Sequence, residues 1–132
     1  MLEANVMLNL YQEILMDHYR NPRHQGTIEQ CDFRSERRNS SCGDEVMFTG
    51  IMCGDSLQRI AFSGKGCVIS QAAASILSEY AATNSLEAIL ALDQDALVAM
   101  LKIPLGPVRL LCALLALEAL QAGIIEYKGR MH

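Results

Sequence analysis

Glu45-Val46-Met47-Phe48-Thr49-Gly50-Ile51-Met52-Cys53-Gly54-Asp55-Ser56-Leu57-Gln58-Arg59-Ile60-Ala61-Phe62 is the stretch that decides the fold. Glu45 to Ile51 is rich in strand formers, and Leu57 to Phe62 alternates fairly well. Between these arms, Cys53-Gly54-Asp55-Ser56 carries the glycine and aspartate of a tight hairpin turn. Upstream, Phe33 to Arg38 supplies a third strand. The pattern predicts a small antiparallel sheet of three strands.

Everything around this sheet reads as helix. Val6, Leu10, Ile14 and Leu15 recur at helical spacing, so Val6 to Arg20 is an amphipathic helix with those residues on its apolar face. Asn21-Pro22 ends it, because a residue before proline avoids the helical region. Ser70 to Ala82 is alanine-rich and has high helical propensity. Asn84 or Ser85 can cap a short helix through Leu92, and Asp93 another over Gln94 to Leu101. Pro107 suits the first turn of a last helix, Val108 to Ala122, which Gly123 is expected to stop. Strands followed by helices give an α+β fold, read as one domain over residues 1–132.

Composition narrows the function. A chain of 132 residues, 51% apolar and 20% charged, can bury a core without disulfide staples. A net charge of -4 gives no reason to expect nucleic acid; Arg34, Arg37 and Arg38 are the one basic cluster, and a solvated strand face explains them equally well. No basic segment followed by an apolar run marks a signal peptide. The longest apolar run, Leu110 to Leu117, is too short to span a membrane. Five cysteines without an export signal indicate a reducing, cytoplasmic setting with metal or thiol chemistry.

Three of the cysteines carry that chemistry. Cys42 lies in Asn39-Ser40-Ser41-Cys42-Gly43-Asp44, just before a strand. Residues two apart in extended backbone point to one side, so the Cys42 thiolate and the Asp44 carboxylate can meet one metal ion. The same residues also make an ordinary turn. Cys67 follows Gly64-Lys65-Gly66 and opens a helix, where free amides and Lys65 favour a thiolate. It can equally be a small residue at a tight strand-to-helix turn. Cys112 sits in a very apolar helix and reads as core, except that Arg109, three residues earlier, shares its face and can stabilise a thiolate. Three thiolates and one carboxylate can hold a soft metal or three corners of an iron–sulfur cluster. No C-x-x-C pair is present, so such a site has to be assembled by tertiary structure. Spacing leads to a metal or thiol site and no further.

Cys31 and Cys53 lack comparable settings and read as structural. His18, in Asp17-His18-Tyr19, stands near a helix end, His24 in a loop, and His132 at the terminus. None has metal-ligand spacing.

The residues resemble a known family. Leu10-Tyr11-Gln12-Glu13-Ile14-Leu15-Met16-Asp17-His18-Tyr19-Arg20-Asn21-Pro22-Arg23 is similar to the opening of the U-type iron–sulfur assembly proteins: IscU, SufU and the N-terminal domain of NifU. Cys42-Gly43-Asp44, Gly66-Cys67 with Ile69-Ser70, and Pro107, Arg109, Cys112, Ala113, Leu115 and Ala119-Leu120 resemble that family's three ligand motifs in order. The resemblance runs from about residue 8 to residue 125. It implies an α+β fold, and Cys42, Asp44, Cys67 and Cys112 as ligands of a transient [2Fe–2S] cluster or of zinc. It also implies a cysteine desulfurase as sulfur donor and apo iron–sulfur proteins as recipients, with the three cysteines as candidate persulfide acceptors.

The subtype signals are mixed. The first helix, the turn around Lys65 and Arg109 resemble the SufU branch, whose usual insertion is missing: only 44 residues, 68 to 111, separate Cys67 from Cys112. That short spacing resembles IscU, but IscU usually has a histidine where this chain has Leu111. Leu105-Gly106-Pro107-Val108-Arg109 departs at two positions from the chaperone-recognition motif of IscU, which makes an Hsp70-type chaperone a doubtful partner. A non-enzymatic scaffold is the first reading. The alternatives are a zinc-dependent sulfurtransferase and a structural zinc domain.

Overall fold

The structure is a computed structural model that describes the backbone of residues 2–131 and the side chains of 6–131. The elements run α1 Leu2–Arg20, β1 Phe33–Asn39, β2 Asp44–Cys53, β3 Ser56–Lys65, α2 Val68–Thr83, α3 Leu86–Leu90, α4 Gln94–Leu101 and α5 Pro107–Arg130. The sheet is antiparallel, in the order β1-β2-β3. Phe48 stands opposite Ser35 on one side and Phe62 on the other. Cys53 pairs with Ser56 across the predicted hairpin, and Gly54 takes the left-handed φ of +60° that the two-residue turn needs. The three-stranded sheet packed against helices agrees with the α+β expectation.

One face of the sheet carries Phe33, Val46, Phe48, Ile60 and Phe62 into the core. Facing them, α2 and α5 present Ala72, Ala73, Ala81, Ala113, Ala116 and Ala119, all fully buried. Small residues let two helices lie close to a sheet whose bulk comes from aromatics. Ser85 caps α3 and Asp93 caps α4, each side chain accepting an amide three residues on. The Gln121 side chain, on α5, donates to the carbonyls of Ile89 (3.1 Å) and Leu92 (2.8 Å), which closes the end of α3.

Two expectations are corrected. Gly123 does not stop the last helix: α5 continues to Arg130 and Gly123 lies buried inside it. A Cβ there would meet the Phe33 ring at 2.4 Å and Ser35 Cβ at 3.0 Å, so the glycine serves close helix–sheet contact and does not end the helix. The second correction concerns α1. Val6, Leu10 and Ile14 are exposed, and of the predicted face only Leu15 is buried. The residues turned inward are Leu8, Tyr11, Leu15 and His18, spaced three, four and three apart. The helix has two apolar stripes, and polar contacts choose between them. Lys102 places its ammonium over the Tyr11 ring, 5.6 Å from the centroid. His18 Nδ1 lies 2.8 Å from Ser75 Oγ on α2.

By length and hydropathy α5 is able to cross a membrane, yet half of its most apolar window is buried, against α2 and the sheet. It is a core helix.

The His18 contact belongs to a latch at the end of α1. Ser75 Oγ accepts the Arg23 amide at 2.9 Å and lies 2.8 Å from His18 Nδ1. On the other side of the ring, Nε2 lies 3.4 Å from the Glu79 carboxylate. Arg23 pairs with Asp17 at 2.6 Å, and its carbonyl accepts the Ser78 hydroxyl at 3.1 Å. Burial and the positive charge of Arg23 lower the His18 pKa below its ordinary value, against Glu79 and Asp17, which raise it. The folded state therefore favours neutral His18. Its contribution to stability is complete above the unfolded value, about 6.5, and is lost as pH falls below it. Urea titrations of the metal-free protein from pH 7.5 to 5 should show stability falling. The His18→Gln variant should be less stable at pH 7.5, by roughly 1–3 kcal/mol, with a flatter dependence over that range.

Candidate metal and sulfur centre

The centre is built around Asp44. Asn39 to Gly43 form the β1–β2 turn, in which the Gly43 amide donates to the Asn39 carbonyl at 2.8 Å and Gly43 has φ +74°. That turn delivers Cys42 and then Asp44, the first residue of β2 and fully buried. A buried carboxylate needs donors. Oδ1 accepts the Cys67 amide at 2.7 Å, and Oδ2 faces the Cys42 sulfur at 3.2 Å and the Cys67 sulfur at 3.5 Å.

Gly66 makes this approach possible. It has φ +139°, and a Cβ on it would stand 2.1 Å from Asp44 Oδ1. Only glycine lets the β3–α2 turn lie directly on the carboxylate. Cys67 is then the N-cap of α2, its sulfur accepting the Ser70 amide at 3.4 Å. Ser70 Oγ returns a hydrogen bond to the Cys67 carbonyl at 3.2 Å. Gln71 ties this helix start to the sheet, its Nε2 donating to the Glu45 carbonyl at 3.2 Å.

Cys112 comes from the second turn of α5 and is buried, whereas Cys42 and Cys67 are exposed. Donor atoms of Cys42, Asp44 and Cys112 all lie within 4.8 Å of one another. Donors bound at 2.3 Å around a tetrahedral ion stand about 3.8 Å apart, so the triad needs to close by at most about 1 Å. Cys67 meets the same carboxylate from the opposite turn. Three of the four predicted side chains thus form one mutually close group, while the Cys67 sulfur touches Asp44 Oδ2 but stands outside that group.

Their protonation is unequal. Burial raises the Asp44 pKa, but the Cys67 amide and the thiols of Cys112, Cys42 and Cys67 outweigh it and hold the carboxyl below its ordinary value. Cys112 goes the other way: burial, then the neighbouring Asp44 and Cys67, push its thiol far up. This corrects the expectation that each motif favours a thiolate. In the metal-free protein Cys112 keeps its proton and releases it only when a soft cation takes its place.

An apolar groove of about 680 Å³ opens over the cysteines, walled by Leu15, Met16, Val68, Ile69, Ile103 and Val108. Arg109 and Glu13 also line it. Arg109 is exposed and makes no hydrogen bond to Cys112. Leu111 is exposed beside Cys112 at 59%. Cys53 lies at the hairpin, Cys31 before β1, His18 on the inner face of α1 and His24 in the loop at the β3 edge; none joins the triad. Sequence reasoning missed the supporting roles of Gly66, Ser70 and Gln71, for which the glycine beside Cys67 was the one visible signal.

The profile of the NifU-like N-terminal domain matches residues 10–132. The chain belongs to that family. Among its relatives in the family, the zinc-dependent sulfurtransferase SufU of Bacillus subtilis is 28% identical over 91% of this chain and 92% of its own length. The iron–sulfur cluster assembly scaffold protein IscU of Haemophilus influenzae is 31% identical over 91% and 97%. A solved structure from Fervidobacterium islandicum, described as an iron–sulfur cluster assembly scaffold for the SUF system, superposes with a TM-score of 0.70 at 26% identity, covering 85% of this chain and 94% of that one. The N-terminal part of a NifU-like protein from Brucella abortus shares the fold, with a TM-score of 0.74 over 91% and 95% of the two chains at 21% identity.

If Gly66 holds the carboxylate in place, Gly66→Ala should weaken zinc binding about 10- to 100-fold, the usual effect of disturbing a ligand's support. Chelator competition measures it. Cys67→Ser should lose at least as much, and Cys53→Ser should bind as wild type does.

Proposed function

We propose that this protein is a scaffold on which iron and persulfide sulfur are assembled into a [2Fe–2S] cluster that is later handed to apo proteins. The observation that carries the reading is the set of three cysteines converging on one buried carboxylate beneath an open groove. Two of the three cysteines are exposed residues, which leaves the site open to a partner. Cys42, Asp44, Cys67 and Cys112 are the proposed ligands. A carboxylate binds soft iron–sulfur centres less tightly than a fourth thiolate would, which suits cargo that must leave. A cysteine desulfurase is the proposed sulfur donor. Its persulfide has to come within bonding distance of a thiolate, and the groove is the open approach to all three cysteines. Arg109, at the groove wall, offers positive charge to that anionic sulfur.

The same donor set fits zinc, with Cys42, Asp44, Cys67 and Cys112 holding it. Bound zinc would keep the thiols deprotonated, Cys112 included. A second reading, zinc-dependent sulfur transfer, is favoured by the likeness to SufU and by the absence of an imidazole at Leu111. In it one cysteine takes the sulfur while the others and Asp44 stay in place.

Anaerobic reconstitution with iron, cysteine and a desulfurase separates the two. A scaffold gives thiolate-to-iron absorption that is lost in Cys42→Ser, Cys67→Ser and Cys112→Ser alike. A colourless zinc protein that accelerates desulfurase turnover supports the transferase instead. Because Leu111 is exposed, replacing it by histidine should leave the fold intact. Leu111→His should lengthen the life of the cluster absorbance several-fold by offering a nitrogen ligand beside Cys112. Identical decay, with the imidazole shown to reach the site, would remove the fourth-ligand argument.

A further inference from the structure

A second cleft opens one turn further along α1. Gln12 and Met16 flank the cysteine groove, while Tyr19 and Pro22 flank a cleft of about 450 Å³ on the other side of Gly66. Gln12, Met16 and Tyr19 stand on one flank of the helix, so both openings share a wall. The Gly66–Cys67 peptide divides them: Gly66 lines the cleft and Cys67 the groove.

The cleft gathers polar groups with unused capacity. Lys65 stands opposite Glu45 in the sheet, a position that favours a cross-strand ion pair. Glu45 turns to Arg38 instead, at 3.6 Å, and Lys65 has no ion-pair partner among the described residues. The Tyr19 hydroxyl and the Gln25 side chain, both at the cleft, make no hydrogen bond within the described residues. Gln71 spends its Nε2 on the Glu45 carbonyl and on Ser70 Oγ, which leaves its Oε1 free to accept. A cation, a phenol and an amide suit a carboxylate; the Gln71 oxygen suits an amide or ammonium N–H. The volume suits a molecule the size of a small peptide.

We propose that this cleft binds a low-molecular-weight peptide thiol through its carboxylate and presents its sulfur to the Cys67 turn. An extended tripeptide spans about 10 Å, and adjacent residues are about 3.8 Å apart, so a peptide anchored by its carboxylate at Lys65 is long enough to carry its thiol over the Gly66–Cys67 turn toward the groove that Cys67 lines. The thiol's use rests on the proposed sulfur-handling function. The bound thiolate attacks the outer sulfur of a Cys67 persulfide. A new S–S bond forms on the peptide, the old one breaks, and its electron pair stays on Cys67 Sγ. No outside oxidant or reductant is needed.

Glutathione is the probe, titrated anaerobically into the ¹⁵N-labelled full chain. Amide shifts should centre on Tyr19, Lys65, Gly66 and Gln71. S-methylglutathione should bind within about twofold, because the carboxylate is the anchor. Lys65→Glu, a surface change, should weaken both by roughly tenfold or more, as expected for losing a charge-assisted contact, and Tyr19→Phe should weaken them less. Undiminished binding by Lys65→Glu, loss of binding on S-methylation, or shifts confined to the cysteine groove would each overturn the site. Mass analysis after loading with a desulfurase then separates the two readings. Binding that depends on Lys65, with persulfide on the chain but none on glutathione, would overturn the transfer step, and binding with no persulfide on either would sink the sulfur-handling function and leave the cleft standing. Cluster assembly without any glutathione binding would sink the cleft alone.

Discussion

A fully buried carboxylate organises this protein. Asp44 forms no ion pair among the described residues, and it is held by one amide and by the thiols around it. The Cys67 amide on Oδ1 joins the start of β2 to the β3–α2 turn, and it does so only because Gly66 lacks a side chain. Buried charge without strong partners is costly. The fold tolerates this one because the same oxygens face the sulfurs that a metal or cluster would occupy. The site thus carries a standing electrostatic demand for a cation, and the thiols meet part of it while the metal is absent.

The scaffold around Asp44 is rigid where position matters and open where exchange matters. Three hydrogen-bonded strands fix Cys42 and Asp44; α2 begins at Cys67; α5 passes beneath with Cys112. Alanine-lined helices lie close to the sheet, so the helix that carries Cys112 has little freedom to retreat from the strands. On the other side, the groove leaves Cys42 and Cys67 open to a partner. Cys112 is the sulfur that feels burial most, and its proton must depart before it can ligate. Metal entry is therefore linked to proton release, which makes affinity rise with pH.

Two exposed apolar surfaces differ in kind. The groove continues the site and is walled by residues of α1, α2 and α5. The stripe of Val6, Leu10 and Ile14 is exposed and lies outside the core formed by the described residues. The latch of His18, Ser75, Arg23 and Glu79 holds α1 in the rotation that separates them.

Much of this was legible in the sequence because it is local. Alternation on either side of Gly54-Asp55 made the hairpin, Asp93 announced α4, and Pro107 announced α5, all through contacts within a few residues. The three cysteine motifs could be named as candidates for the same reason. Their convergence could not be read from spacing, since Cys42 and Cys112 meet through packing between a strand and a distant helix; it was the family resemblance that joined them. Where the sequence misled, two local readings were both chemically sound. Gly123 has the composition of a helix stop, yet the Phe33 ring needs the space a side chain would take. The apolar residues of α1 form two stripes of similar hydrophobicity, and the choice fell to Ser75 and Lys102, far away in the chain. The acidity of Cys112 was beyond local reading as well, because its neighbours Asp44 and Cys67 and its burial exist only once the fold has formed. Short-range geometry and turn chemistry are written in the order of residues. Which face is buried, how closely two elements approach, and what a buried sulfur senses are properties of the assembled core.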